Sequence, residues 1–584
     1  MSAVLAILVA LAGAQLAAAG EFAGCIPQLG LSVQRLASFK TGNWTGVASV
    51  EVLDYDPFGK LSAVVEAQKS ATSPLALLIV NLADPSAPAI HRRIPVSDSA
   101  GEGDVVGTPN SVSVYNGYAA LSLDGVPATA DGWIRIYHMA SGAKVGEVRV
   151  PGCAMPDSVA WTKDGRRLII ACEGEPSTQG DASTGSDPTI DPNPSGAIGI
   201  VYVTWASYTP VGADCPTVNL SLSTKVLSFQ KYIDKLSATA YKALLSAGLR
   251  IDPRLTKATA ARDIEPEYVA LHSDGRDLAY VTLQENNAIA VINIAPGAER
   301  IRSIWPLGLK DWSVTPVDPS DRDGTLLRNL TSVVSWYQPD TIVHTTINRI
   351  PYLVIANEGD SKEEALRVSD LKDRLDPAVF SAAQVADVSR LNVDPLHGIS
   401  GGYNTSKPWN AQGPYTRLYA YGGRSWAILN ALTGAMVYES RSELESLVAA
   451  HPEASACFNC DRNANVPDTR SDNSGPEPEA LAVFELGGRT YASVGLERQS
   501  GFVLYDISKP AKPITGAYVY NRDFDPALGS NTTVLGDLAP ECIRFVSASA
   551  SASGKPYLLV GNEVSATVAT WELGTCPPAA RRRL

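Results

Sequence analysis

The sequence predicts an all-β protein, a seven-bladed β-propeller with two partly helical insertions. Three observations lead there. One hairpin motif recurs along almost the whole chain, its copies are spaced as blades, and the composition is that of a packed globular protein. Of the 584 residues, 45% are hydrophobic and 19% charged, with 47 glycines and 39 prolines; this excludes a disordered or collagenous chain. Length alone leaves the number of domains open, so the repeat has to decide it.

The motif is a proline, an acidic or amide residue, a short alternating strand, a turn, and a second strand ending in a small residue, any residue, and Glu or Gln. It is clearest where Pro156-Asp157 opens one strand, Asp164-Gly165 makes the turn and Ala171-Cys172-Glu173 ends the next. Asp-Gly between β-rich runs is a hairpin signal. The same grammar runs from Pro266-Glu267 to Gln284-Glu285, and from Pro339-Asp340 to Glu358-Gly359-Asp360. It recurs from Pro478-Glu479 to Glu497 and from Pro540-Glu541 to Glu563. Degenerate copies lead from Pro109-Asn110 to Asp124 and from Glu51 to Glu66. Third strands follow, as in Ile289 to Ile294 and Phe502 to Ile507. Units of about 45 residues that cannot bury both faces alone must stack on neighbours. The blades fall at about 47–100, 108–150, 155–204, 264–310, 338–445, 476–520 and 539–573. The first strand of the chain closes the ring beside the last blade.

This gives a signal peptide over 1–19, an N-terminal segment over 20–46, one propeller over 47–573 and a tail over 574–584, with insertions at about 205–263 and 361–414. Within Phe229 to Leu255, the apolar Tyr232, Ile233, Leu236, Tyr241, Leu244 and Leu245 are spaced as on an amphipathic helix. Glu363 to Leu371 reads as an acidic helical stretch. Long structured insertions over one end of a scaffold form lids or binding surfaces.

Residues Met1 to Ala19 are almost wholly apolar and end in three alanines, a pattern suited to signal-peptidase cleavage, although no Lys or Arg precedes Arg35. Sequons at Asn43, Asn219, Asn329, Asn404 and Asn531, and an even count of eight cysteines, fit export. No later apolar run reaches the ~18 residues of a membrane span, and the tail lacks the apolar end of a lipid-anchor signal. The expected location is secreted, extracellular or at the cell surface. Cys457-Phe-Asn-Cys460 is the sole CxxC; zinc needs a second pair, so it reads as a local disulfide. Cys153 with Cys172 would flank one hairpin and Cys25 with Cys576 would join the two ends, but sequence leaves the pairing open. A net charge of −13 argues against a nucleic-acid partner.

The repeated acids carry the functional signal. In a tight hairpin, residues equidistant from the turn are neighbours, so the acids that open and close each motif should lie together. If these hairpins are the inner strands, Asp157, Glu173, Glu267, Glu285, Asp340, Glu358, Asp360, Glu479, Glu497, Glu541 and Glu563 converge on one mouth of the channel. Crowded carboxylates raise one another's pKa or recruit a hard cation, Ca²⁺ in the first instance. The plainer alternative is strand-end hydrogen bonding or pairing with arginine. Arg424, Arg470, Arg498 and Arg522 are candidate partners, and the first three are candidates for holding an anion on bound metal. Asp318 to Gly324 resembles a calcium loop but has Pro319 and Leu330 at outer ligand positions, so it reads as a turn. The six histidines are scattered, and no HExxH, GxSxG, phosphate-loop or dinucleotide motif names a nucleophile.

At these residues the sequence resembles the choice-of-anchor I family, which includes mesenchyme-specific cell-surface glycoproteins of biomineralising animals and bacterial secreted proteins labelled alkaline-phosphatase-like. The resemblance spans about Val47 to Leu573. It is carried by Cys172 to Pro176, Asp263 to Tyr268, Leu283 to Ala288, Ala356 to Asp360, Gly422 to Ser425, Arg470 to Glu479, Gly495 to Arg498 and Gly561 to Ser565. It implies a secreted propeller related either to calcium-dependent phosphatases or to matrix proteins of mineralising tissue. Asn473-Ser474 stand where the family more often has a basic residue. Three functions are therefore compared: an extracellular calcium-binding glycoprotein, a metal-dependent phosphomonoesterase, and a protein-binding propeller without metal. Their partners would be metal ions, phosphorylated small molecules or matrix components.

Overall fold

In the computed structural model, the described residues are 24–42, 49–67, 75–96, 106–174, 178–179, 189–190, 194–207, 219–361, 365–408 and 411–576. The leader, Asn43 and the tail beyond Cys576 lie outside them. Antiparallel meanders dominate. The first sheet contains Val50–Asp56, Leu61–Glu66, Ala76–Asn81 and Ala89–Pro95, and the second Pro109–Tyr115, Tyr118–Leu123, Asp131–His138 and Lys144–Ala154. The third contains Pro156–Trp161, Arg167–Cys172, Ala197–Ser207 and Asn219–Ser228, and the fourth Pro266–Leu271, Leu278–Leu283, Ala288–Asn293 and Arg300–Pro306. The fifth contains Ile342–Ile347, Ile350–Asn357, Ser425–Asn430 and Met436–Glu439, and the sixth Pro478–Leu486, Arg489–Leu496, Phe502–Asp506 and Ile514–Val519. Pro540–Val546, Tyr557–Asn562 and Thr567–Thr575 begin the seventh, which Leu31–Lys40 and Gly24–Ile26 complete.

Radial order follows from the opening strands. Each touches the opening strand of the next sheet, and Pro540–Val546 returns to Val50–Asp56. The sheets therefore form a propeller around an axis lined by these strands. Burial explains the residue choice. Leu61–Glu66, Tyr118–Leu123 and Tyr557–Asn562 are buried at every position, whereas the outer strand Ala89–Pro95 has no buried residue. A strand stacked on both faces reads as a continuous apolar run, and each Leu, Ile or Val sealed there contributes about 1.5–3 kcal/mol. The ring closes where Leu31–Lys40 pairs antiparallel with Thr567–Thr575, and the Cys25–Cys576 disulfide clamps that junction. Cys153–Cys172 and Cys457–Cys460 are also bonded, while Cys542 is a buried free thiol.

The insertions differ from the sequence reading in four places. Asn219–Ser228, inside the segment read as insertion, is the outer strand of the third sheet; its Leu and Ser alternation pairs along Ala197–Ser207. The single helix expected after it is two, Phe229–Lys235 and Ala238–Ser246, because Ser228 and Ser237 each cap a separate start. Of the stretch Glu363 to Leu371, the first two residues lie outside the described ones; among the rest Val368–Leu371 is helical and Leu366–Arg367 is a strand. That strand belongs to a separate sheet with Asn392–Val393, Leu418–Ala420, Val333–Ser335 and Lys310–Asp311, built over Trp312, Val368, Leu371 and Tyr415. A further insertion over 440–477 carries helix Glu443–Ala449 and the Cys457–Cys460 disulfide.

All these insertions leave and return at one end. In a four-stranded meander the link from the outer strand to the next opening strand, and the link from second to third strand, share the end at which the opening strand begins. The long segments occupy only those links, so they gather where the motif acids lie. Arg250 from one insertion and Asp394 from another pin them together at 2.9 Å, both side chains nearly sealed from solvent. No helix among the described residues is long and apolar enough to cross a membrane.

An acidic cup at the channel mouth

Register places the acids. Pro156 faces Cys172, Pro266 faces Leu283, Pro478 faces Leu496 and Pro540 faces Asn562, with a bulge immediately after each proline. A bulge puts two residues opposite one and re-aims a side chain. The residue before the proline is left-handed in four copies, at Met155, Gln338, Glu477 and Ala539. Such backbone costs an L-residue roughly 1 kcal/mol or more, so its recurrence marks a required bend. The closing acid then locks onto that bend: the Glu173 amide donates to Met155 O at 2.9 Å, Glu497 to Glu477 O at 2.8 Å and Glu563 to Ala539 O at 2.7 Å. The opening and closing acids of a motif are thereby held beside each other.

Neighbouring copies bring these pairs together. Oxygens of Glu51, Glu541 and Glu563 lie within 4.8 Å of one another, as do those of Asp340, Glu358 and Glu479. Glu479, Glu497 and Glu541 link the two groups, and Glu358, Glu477 and Glu497 form a fourth. Glu479 is only 6% exposed, and no donor reaches its Oε2. Burial, and then the charge of neighbouring acids, raises Glu267, Glu358, Glu479 and Glu541 well above the usual carboxylate range. Burial likewise lifts Glu51 and Glu497 to about 8, Asp157 to about 7 and Asp340 to about 6. Glu173 and Glu285 press on Glu267 from one side, and Asp360 adds to the field at Glu358. Without a cation these raised values favour keeping protons in the cup. With one, it would release protons.

The arginines divide by role. Arg424 does not face the cup: its guanidinium bonds Glu445 at 2.9 Å, Asp318 O at 2.9 Å and Ser471 O at 2.7 Å, tying the fifth sheet to the insertion after it. Arg470 and Arg498 both bond Glu477. Burial raises Glu477, but the two guanidiniums outweigh it and hold the carboxyl down at about 2. Arg522 supports the loop from below, donating to Asp461 O and Ala464 O, each at 2.9 Å. Among the described residues, two cations reach Glu497 in the cup: Arg498, whose Nε lies 3.1 Å from one of its oxygens, and Arg462, whose Nη1 lies 2.6 Å from the other and 2.5 Å from Glu563. Three residues further along the seventh opening strand from Glu541, or roughly 10 Å at ~3.3 Å per residue, Arg544 reaches across to the Tyr268 hydroxyl at 3.3 Å. That bar floors the cup.

Sequence motifs acquire structural meanings here. Asn286 accepts from the Glu265 amide and donates to Arg250 O, and Asn287 donates to Gly248 O and Gly308 O; together they wire an insertion to the fourth sheet. Asp318 makes the expected turn, accepting from the Ser320 and Leu326 amides. Asn329, Asn404 and Asn531 are exposed, and the Asn219 side chain lies outside the described atoms. Three cup residues were not singled out from sequence: Glu51, in a copy read as degenerate, Glu477, which precedes its proline, and Arg462. The histidines, read as scattered, include a close pair at the other end of the channel. His272 and His344 stack with ring centroids 3.9 Å apart, beside a cleft of about 710 Å³ lined by Trp161, Arg167 and Arg276.

A ring of stacked meanders with buried carboxylates at one mouth defines a β-propeller with an acidic axial cup. Residues 51–510 match the choice-of-anchor I domain, and the protein belongs to that family. The chain is also similar to Gigasin-3a of Magallana gigas, with 29% identity over 177 residues covering 28% of this chain and 59% of that protein. It thus spans less than two thirds of that relative. Among solved structures it is similar to the hydrazine synthase of Kuenenia stuttgartiensis, at 10% identity and a TM-score of 0.41 over 91% of this chain and 97% of that one. The RRP9 WD40 repeats give 8% identity and 0.42 over 95% and 100%.

Proposed function

We propose that the cup binds a hard divalent cation, calcium first, and that the protein is a secreted calcium-binding propeller of a cell surface, extracellular matrix or mineralising compartment. The observation that supports this most is Glu479, buried, with one oxygen reached by no donor, at the junction of two three-carboxylate groups. Oxygens that all touch one Ca²⁺ at about 2.4 Å can be no more than about 4.8 Å apart, and these groups meet that limit. The apolar leader, the disulfides and the exposed sequons at Asn329, Asn404 and Asn531 support export and glycosylation.

The phosphomonoesterase reading needs a cation to polarise phosphate and a guanidinium to steady it. Arg470 and Arg498 are engaged by Glu477 and Arg424 by Glu445, so no specific observation favours it. Metal content of the purified protein, followed by a phosphatase assay with and without chelator, separates the readings. Bound metal without turnover is the expected result. Turnover lost to chelator would establish the esterase, and neither metal nor turnover would leave a protein-binding propeller.

A further inference from the structure

We propose that Arg462 is a tethered cation that competes with divalent metal for the Glu497–Glu563 edge of the cup, and so sets how tightly and how many ions bind. The inference rests on the cation-binding reading and concerns its regulation. A single nitrogen, Nη1, bridges one oxygen of Glu497 and one of Glu563, the position from which an ion would join their two carboxylate groups. Glu563 belongs to the group with Glu51 and Glu541, and Glu497 to the groups with Glu479 and Glu541 and with Glu358 and Glu477. The bridging nitrogen therefore sits where the subsites meet.

Arg462 does not come from the propeller itself. It follows the Cys457–Cys460 disulfide in the insertion between the fifth and sixth sheets. The backbone on either side is fixed: Arg522 holds Asp461 O and Ala464 O, and Asn465 donates to Asp523 O at 2.6 Å. The side chain itself is 31% exposed, so it can swing out while its loop stays docked. Arg470 and Arg498 converge on Glu477, and Arg498 also reaches the second oxygen of Glu497 at 3.1 Å, but it is Arg462 that bridges Glu497 to Glu563. A guanidinium carries one charge and cannot shed it. A divalent ion gains two charges' worth of attraction but must first displace it.

The test titrates purified full-length wild type, R462Q and R462K with CaCl₂ by calorimetry, and follows melting temperature with and without chelator. R462Q should bind calcium about tenfold tighter or more, the effect of removing one nearby like charge at protein dielectric, or bind one further ion. R462K should stay near wild type. Metal-free R462Q should melt below wild type, since its carboxylates lose their counterion, and calcium should raise its melting temperature by more. A well-folded R462Q that binds calcium as weakly as wild type, or more weakly, overturns the proposal. If R462Q does not fold, the C457S/C460S pair serves instead. Loosening the tether must then strengthen calcium binding, and unchanged or weaker binding overturns the proposal. Failure of the cation reading itself is distinct: neither wild type nor any variant then binds Ca²⁺ or Mn²⁺ in equilibrium dialysis.

Discussion

Arg424 and Glu445 form an ion pair at 2.9 Å in which the side chains are 2% and 0% exposed. It joins the turn before Ser425–Asn430 to helix Glu443–Ala449, and Arg424 also donates to three carbonyls, Asp318 O before the fifth sheet and Ser471 O and Asn473 O after it. Breaking a buried pair strands a charge, so R424M or E445L alone should each cost about 3–5 kcal/mol. R424M/E445L, which removes both charges, should cost less than either single change. Denaturant melts of the four proteins check this, and a strictly additive cycle would refute the coupling.

Protonation of the cup should make metal-free stability fall as pH rises. An acid whose folded pKa is raised holds its proton in the native state after the unfolded chain has lost it, so its stabilising contribution is present at low pH and disappears through the folded pKa. Glu51 and Glu497 at about 8 and Asp157 at about 7 spread that loss from about pH 4.5, where the unfolded acids ionise, up to about 8. Burial depresses His272 and His344 below 6.5, so the unfolded imidazoles losing their protons near that pH oppose the fall up to about there, where the more numerous carboxylates outweigh them. With chelator present, the melting temperature should therefore drop from pH 6.5 to 8. Calcium should reverse the slope, because deprotonated ligands bind it better. A flat or rising metal-free profile would contradict the assignment.

Neutralising two carboxylates should uncouple metal from stability. An ion at 100 times its dissociation constant stabilises by about 2.7 kcal/mol. Chelator should therefore lower the melting temperature of wild type and barely move that of E358Q/E497Q. Identical shifts in the two proteins, zero included, would count against metal in the cup.

The disulfide pattern predicts non-reduced peptides linking Cys25 with Cys576, Cys153 with Cys172 and Cys457 with Cys460. Cys542, buried with its Sγ 3.4 Å from Leu53 O, should label only after unfolding. Replacing Cys25 and Cys576 by serine should cost about 2–4 kcal/mol through the unfolded chain's regained freedom. Peptide mapping and denaturant melts read both results.

The sheets were legible because Pro-acid openings recur at five of the hairpins, and the acid pairs because a tight hairpin makes Pro156 face Cys172. Glu51 was obscured by the absence of a proline before it. Glu477 was obscured because its role comes from two arginines, Arg470 and Arg498, that no hairpin arithmetic places. Arg462 lies in an irregular loop where the only pattern was a CxxC, and nothing periodic reports that such a loop bends over the axis. Asn219–Ser228 alternates visibly, but its distance from Ala197–Ser207 along the chain hid their pairing. His272 and His344 belong to different sheets, so their stacking is a property of the ring alone.

The strand Leu31–Lys40 leaves the ribosome before six intervening sheets, and its partner, Thr567–Thr575, emerges only after them. Until then it presents an unpaired edge, a template for mispairing with another chain. Sheets one to six can each form as they emerge, but they remain an open arc until the seventh arrives. During biosynthesis the vulnerable species is therefore a nearly complete arc with two sticky ends. Whatever shields those ends in the cell, rather than the rate of any single hairpin, would govern the yield of correctly closed rings.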